Sequence, residues 1–290
     1  MRPASKCQKA KAACFDQLLG NPHSRAQEHT MTNLSDIEIQ RRYYAASADR
    51  YDSMHLAVND EHFLALSFLV GAIDYLGIHS ILDIGSGTGR AVHYLKRLRP
   101  QLRVVGVDPV KELREIGYSK GLRPDELIDG DATNLAIGNA EFDLVCEFGV
   151  LHHIKKPDLA VAEMLRVASK AIFISDSNNF GQGSKLARTI KQAINLVGLW
   201  KLADLIKTRG KGYTISEGDG LAYSYSVFNN YKQIRDQCKS VHLLNTLDGY
   251  IDPYKTASHV ALLGIKKNQV AQQEAESVEV ATNAGLECQQ

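Results

Sequence analysis

The chain has 290 residues, 44% of them hydrophobic, and a formal net charge of +1 at neutral pH. That length holds one sizeable α/β core with additions, and the near-zero charge argues against bulk attraction to nucleic acid or to an anionic membrane. Five cysteines (Cys7, Cys14, Cys146, Cys238, Cys288) lie far apart, without a C-x-x-C pair or a histidine cluster at ligand spacing, so no disulfide framework and no structural metal are expected.

Residues 1–33 are polar and carry Arg2, Lys6, Lys9 and Lys11 ahead of the first acid, Asp16. They read as a disordered extension, although organelle-targeting segments share this basic, acid-poor character. From residue 34 the text changes. Ser35, with Glu38 three positions on, predicts a helix start, and Tyr43, Tyr44 and Tyr51 follow on an amphipathic segment. A second, largely apolar helix is expected over 60–76, closed by Gly77.

Then comes Ile81-Leu82-Asp83-Ile84-Gly85-Ser86-Gly87-Thr88-Gly89-Arg90, a buried strand that passes through three alternate glycines into a helix running to about residue 98. Glycines let a ligand approach the main chain, and the helix start attracts electron-rich groups. The alternation continues with a strand at 102–107 ending in Asp108-Pro109, a helix at 111–120 and a short strand over 127–131 ending in acids. After these come a strand at 142–148, a helix opened by Pro157 and a strand at 171–175 ending at Asp176. A strand, helix, strand order with connections of this length gives parallel neighbours and a ligand crevice at the carboxyl ends of the strands.

Residues 178–239 interrupt the alternation. A helical pattern spans 185–207, in a stretch with seven Lys or Arg against the single acid Asp204, and a loop rich in glycine and tyrosine follows; Tyr213, Tyr223, Tyr225, Phe228 and Tyr231 are expected to lie over the crevice and contact an organic acceptor. Strands at 241–247 and 259–265 close the sheet, and 268–290 is expected to be disordered. The expected domains are a core at 34–177, a helical lid insertion at 178–239 and closing strands at 240–267. The expected fold is α/β, a doubly wound, mostly parallel, seven-stranded Rossmann-like sheet with an antiparallel edge strand. No run approaches the ~18 apolar residues of a membrane span, and the cysteine usage suggests a reducing, cytoplasmic setting.

A dinucleotide fingerprint needs G-x-G-x-x-G, but here the order is G-x-G-x-G with Arg90 where the last glycine would stand. Asp108, 21 residues after Gly87, suits ribose hydroxyls in either cofactor class. Asp131 and Asp83 tip the balance. With those residues in place the chain resembles the class I S-adenosylmethionine-dependent methyltransferases of the broad small-molecule group. Residues 81–90 match the first motif, Val104-Val105-Gly106-Val107-Asp108 the second, Gly130-Asp131-Ala132 the third, and Glu141-Phe142-Asp143-Leu144-Val145 through Val150-Leu151-His152-His153 the fourth.

The resemblance implies S-adenosyl-L-methionine as cofactor. Asp83 and the main chain of residues 85–89 (Gly85, Ser86 and Gly87 foremost) would hold its amino-acid tail, and Asp108 its ribose. Pro109 and Val110 would lie by the adenine, with Asp131 and Ala132 on the ring's polar edge. Glu147, Phe148 and Gly149 would border the methyl group, and Tyr43 and Tyr51 would close over the tail. His153 is the candidate general base, although methyl transfer from an activated donor does not require one. The simpler alternative makes Asp83 a helix cap and the other two ordinary loop acids. The expected activity is methyl transfer to the oxygen, nitrogen or carbon of a small molecule, anionic or lipid-linked in one reading, with nucleic acid disfavoured. An NAD-dependent oxidoreductase and a cofactor-binding, non-catalytic partner subunit remain the alternatives.

Overall fold

The structure is a computed structural model that describes residues 36–55, 60–216, 219–247 and 252–267. The expected extensions at 1–33 and 268–290 lie outside the described residues. The helices are α1 (Asp36–Ser47), α2 (Tyr51–His55), α3 (Glu61–Leu76), α4 (Arg90–Leu98), α5 (Lys111–Ser119), α6 (Pro157–Val167), α7 (Lys185–Leu196), α8 (Trp200–Lys207) and α9 (Tyr231–Gln237). The strands are β1 (Ser80–Ile84), β2 (Arg103–Val107), β3 (Leu127–Ile128), β4 (Phe142–Phe148), β5 (Ala168–Ser177), β6 (Tyr213–Ser216), β7 (Gly220–Tyr223), β8 (Cys238–Asn245) and β9 (His259–Lys266).

Seven of these strands form one sheet in the order β3-β2-β1-β4-β5-β9-β8, and β6 pairs only with β7. The first five run parallel, whereas β9 is antiparallel to both β5 and β8. The antiparallel strand is therefore one place in from the edge, and β8 outside it runs with the others.

Both faces of the sheet are covered, which is why the strands read as unbroken apolar runs. Alternation along them divides the core. Leu82, Ile84, Val105, Val107, Val145 and Ile172 pack under α6 with Val161, Met164 and Leu165. Ile81, Val104, Leu144, Cys146, Ala171 and Phe173 pack against Leu66, Leu69 and Ile73 of α3 and Val92 and Leu95 of α4. Asp83 lies on this second face by the same alternation, buried beside Cys146. Cys146 and Cys238 are free thiols in the core, and no disulfide joins the described residues.

Register fixes the crevice. Ile84 pairs with Val107 of β2 and Glu147 of β4, and Glu147 pairs with Ile174 of β5. β1 and β2 end at this level, β4 one residue and β5 three residues beyond it, so the loops beginning at Gly85, Asp108, Gly149 and Asn178 share one edge of the sheet. Local signals set the elements that approach this edge. Asp60 caps α3 by accepting from Phe63 N at 2.6 Å, and Gly77 ends it with a left-handed φ of +58°.

The insertion differs in detail from the expected single helix over 185–207. Gly198, at φ +75°, breaks it into α7 and α8. The expected glycine- and tyrosine-rich loop contains the β6–β7 hairpin, whose residues 217–218 lie outside the described residues.

Candidate active site

Gly85, Gly87 and Gly89 all adopt positive φ, +64°, +57° and +81°, so the chain turns through them between β1 and α4 in a conformation that side-chain-bearing residues resist. The turn is tied to both neighbouring acids. Ser86 Oγ donates to Asp83 Oδ2 at 2.6 Å, and Gly87 N donates to Asp108 Oδ2 at 2.8 Å. Val110 N donates to the other oxygen of Asp108, also at 2.8 Å. The turn's own N–H groups are thereby used: Ser86 N bonds to Val107 O, and Gly89 N to Ser86 O. Ser86 and Gly87 in this way orient Asp83 and Asp108, and the N–H groups of Ser86, Gly87 and Gly89 already have partners within the protein.

Those two carboxyls are unusual groups. Burial pushes Asp83 up to about 7, against the opposing bonds from Ser86 and the Cys146 thiol. Burial likewise lifts Asp108 to about 6, while the N–H groups of Val110 and Gly87 favour its charged form. A buried acid so raised gains from a cationic or donor-rich ligand beside it.

Two adjoining cavities open at this edge. The larger, about 400 Å³, has Asp108, Pro109, Val110, Asp131 and Ala132 on its wall, together with Arg41, Lys155 and Lys156. The smaller, about 110 Å³, is bounded by Asp83, Ser86, Arg90, His62, His152 and Asp219. Tyr44, Tyr51, Gly85, Phe148, Gly149 and His153 line both, so the two are halves of one crevice. Helix α2 is strapped across the glycine turn: Asp52 accepts from Thr88 Oγ1 at 2.7 Å and pairs with Lys120.

The histidine pair sits where the hairpin meets the sheet. His152 Nδ1 lies 2.7 Å from Asp176 Oδ1 on β5, and its Nε2 3.3 Å from Asp219 on the hairpin. Burial opposes a charge there, but the two carboxylates outweigh it and hold His152 well above the ordinary histidine range. Asp176 is correspondingly held down to about 2, despite its burial. His152 is an imidazolium pinned between two acids.

His153 is its opposite. Its Nδ1 is 2.7 Å from Leu221 O, and its Nε2 is 2.9 Å from Tyr44 Oη. The carbonyl oxygen only accepts and so favours the proton on Nδ1, which leaves Nε2 to accept from the Tyr44 hydroxyl; Asp219 Oδ1, 3.4 Å from Nε2, and Gln40 Nε2, 3.0 Å from Nδ1, favour the other tautomer. Burial, reinforced by the neighbouring charge of His152, lowers its pKa. Gln40 completes the arrangement by accepting from Leu221 N at 2.5 Å, so α1, the hairpin and His153 are locked together.

The expected site residues do not all reach the crevice. Tyr51 lines it, but Tyr43 lines neither cavity and packs where a Cβ on Gly220 would lie 2.6 Å from its ring; Tyr44 takes the crevice position. Glu147 is fully buried behind the wall, accepting from Val150 N at 2.8 Å, and burial raises its pKa well above the carboxylate range. It supports the turn of Phe148 and Gly149 rather than facing a ligand. Gly87 likewise acts through Asp108. None of the insertion's expected contact aromatics, Tyr213, Tyr223, Tyr225, Phe228 and Tyr231, lines either cavity. Tyr225, for one, is buried in the main core with its hydroxyl on Asn230.

Sequence reasoning missed His62, Tyr44, Arg90 and Asp219. His62 Nδ1 is 3.0 Å from Ser175 Oγ, and burial lowers its pKa to about 4. Arg90 forks onto Asp60 at 2.7 and 2.9 Å. Helical phase separates Tyr44 from Tyr43 only once the partner surface is known, and nothing local marks Asp219.

Comparison with known proteins agrees with this geometry. Residues 82–172 match the family model described as "Methyltransferase domain". The malonyl-[acyl-carrier protein] O-methyltransferase of Xylella fastidiosa (strain M23) is 29% identical over 120 residues, 40% of this chain and 39% of the relative. The demethylmenaquinone methyltransferase of Thermotoga maritima is 38% identical over 65 residues, 22% of this chain and 28% of the relative. The chain thus matches well under half the length of these curated relatives. Among solved structures, the partner of the Trm112 methyltransferase activator in a Haloferax volcanii complex superposes with a TM-score of 0.50 at 14% identity. The match covers 77% of this chain and 97% of that one, a likeness of fold.

Proposed function

We propose that this chain, whose residues 82–172 carry the methyltransferase-domain pattern, transfers a methyl group from S-adenosylmethionine to a small-molecule acceptor. The observation that carries the reading is the pair of buried acids at the ends of β1 and β2. Asp83 and Asp108 are both raised by burial, and they open onto the two halves of one crevice.

The residues present fit the cofactor. Asp83 offers an acceptor to an ammonium group in the smaller cavity, where Arg90 and Tyr51 provide donors for the neighbouring carboxylate. Asp108 keeps lone pairs for two vicinal hydroxyls, its position fixed by Gly87 and Val110. Val110, Leu113 and Phe148 provide apolar wall for the adenine, and Asp131 and Ala132 lie by its polar edge. When bound, the cofactor supplies a methyl group already activated by a sulfonium.

The chain's own contribution is then binding, orientation and exclusion of water. The hairpin residues Asp219 and Leu221, anchored on His152, His153 and Gln40, cover the crevice at the turn after β4. Nε2 of His153, hydrogen-bonded to the Tyr44 hydroxyl, receives the proton that a hydroxyl or amine acceptor sheds. Arg41, Lys155 and Lys156 on the larger cavity favour an acceptor that is anionic or carries an anionic or lipid-linked arm. The acceptors in the names of the relatives above, malonyl-[acyl-carrier protein] and demethylmenaquinone, are the ones to try first.

Calorimetric titration with S-adenosylmethionine, S-adenosylhomocysteine and NADH tests the cofactor assignment. Release of S-adenosylhomocysteine across an acceptor panel then separates an enzyme from a cofactor-binding partner subunit. Saturable binding of NADH alone would overturn the reading.

A further inference from the structure

The helix pair that opens the insertion is seated inside out. The polar residues of α7 face the protein: Gln192 Nε2 donates to the carbonyls of Phe180 and Lys255 at 3.0 Å each, and Asn195 Nδ2 reaches Tyr254 Oη at 3.1 Å. Lys191 Nζ bonds to the Asn179 carbonyl on the same side. The opposite stripe, Leu186, Ile190, Ala193 and Val197 at helical spacing, is exposed, Leu186 by 70%. Helix α8 repeats the pattern. Trp200 packs edge-on against Phe180 and Asp204 bonds to Ser224, whereas Leu202, Leu205 and Ile206 are exposed, Ile206 by 71%. Neither helix contains a buried residue.

Single exposed leucines are ordinary, but a continuous apolar face across two helices is not. Its charge surroundings identify what covers it. Between Asn179 and Gly212 there are seven Lys or Arg and one acid, in a chain whose net charge is only +1. A second copy related by a two-fold axis would set two such basic patches face to face. A nucleic acid would match the charge but leave the leucines in water. An anionic bilayer satisfies both, with acyl chains for the apolar face and headgroup charge for the lysines and arginines.

We propose that α7 and α8 dock on an anionic lipid bilayer, lying in the interface plane with Leu186, Ile190, Leu202 and Ile206 toward the acyl chains. Among the described residues no helix is long and apolar enough to cross a membrane, and this docking requires none. The β6–β7 hairpin follows α8 directly and is joined to it through Ser224 and Asp204, so docking brings the cover of the crevice to the lipid surface. The inference stands apart from the reaction proposed above, because it is tested without cofactor or acceptor.

The test is co-sedimentation of the full chain with phosphatidylcholine vesicles, with and without phosphatidylglycerol. Binding to the anionic vesicles only and release by added salt are the expected results. Leu202→Glu with Ile206→Glu lowers the partition by about tenfold or more, at unchanged melting temperature. Should that variant fold poorly, Lys201→Gln with Lys207→Gln gives the same readout by removing charge. Equal binding to both vesicle types, no binding, retention by both folded variants, or a wild-type dimer that the Leu202→Glu/Ile206→Glu variant dissociates would each overturn the proposal.

Discussion

The main-chain N–H of Gly87 donates to Oδ2 of Asp108 at 2.8 Å, across 21 positions of sequence. That bond makes the glycine turn and the acid at the end of β2 one unit, and it explains why a glycine without a place on either cavity wall still belongs to the site.

Asp108→Ala removes a charge-assisted acceptor for vicinal hydroxyls and frees the turn it steadies. Hydrogen bonds to charged groups contribute roughly 1.5–3 kcal/mol each, so cofactor affinity is expected to fall about a hundredfold. Calorimetry checks this, with the melting temperature as a control for folding.

Cofactor binding is expected to weaken on acidification through Asp83. With its pKa at about 7 in the free protein, the carboxyl is ionised at pH 8 and largely neutral at pH 6, and only the ionised form attracts an ammonium group. Affinity therefore falls about tenfold per pH unit below about 7, and Asp108, at about 6, steepens the loss further down. Asp83→Asn binds more weakly where Asp83 is ionised, most of all above about pH 7, and flattens the first part of the profile. An unchanged profile in that variant would assign the pH dependence elsewhere.

His153→Gln is expected to lower turnover with a hydroxyl or amine acceptor by about 10²–10⁴-fold while leaving cofactor affinity within a few fold. Tyr44→Phe, which removes the hydroxyl on Nε2, should have a smaller effect of the same kind. Single-turnover methyl transfer separates this from substrate binding. An acceptor already deprotonated at the working pH should be insensitive to both changes.

Asp219→Asn loosens the hairpin from His152 and His153. The carboxylate is half exposed, so solvent screening limits the expected loss to roughly 1 kcal/mol. It should be visible as faster hydrogen exchange over 213–223 and a raised KM for the acceptor. In the unmodified chain His152 is held above its ordinary pKa, so this docking persists at low and neutral pH and is lost as pH rises through the raised value.

The sequence made the core legible because each strand there is short, apolar and buried on both faces, with an acid or glycine where it stops. The spans of β1, β4, α3 and α6 follow directly from caps such as Asp60, Gly77 and Pro157. The crevice wall was legible where the signal is local, at Asp83, Asp108, Asp131 and His153. It was opaque where long-range packing decides. Tyr43 and Tyr44 are adjacent on one helix, and only the hairpin's approach at Gly220 decides which of them meets the crevice. Glu147 sits near a strand end like Asp83 and Asp108, yet the turn at Val150 folds over it and takes its side chain as a support. The break at Gly198 and the β6–β7 pairing depend on contacts that no periodicity records.

The central claim, that Asp83 and Asp108 cradle an adenosyl sulfonium, is tested most directly by titrating the purified chain with S-adenosylmethionine beside its Asp83→Asn and Asp108→Ala variants. Saturable one-to-one binding that both substitutions weaken and NADH does not compete with is the expected result. Absence of binding in the folded wild-type chain, or equal affinity in all three proteins, would contradict it.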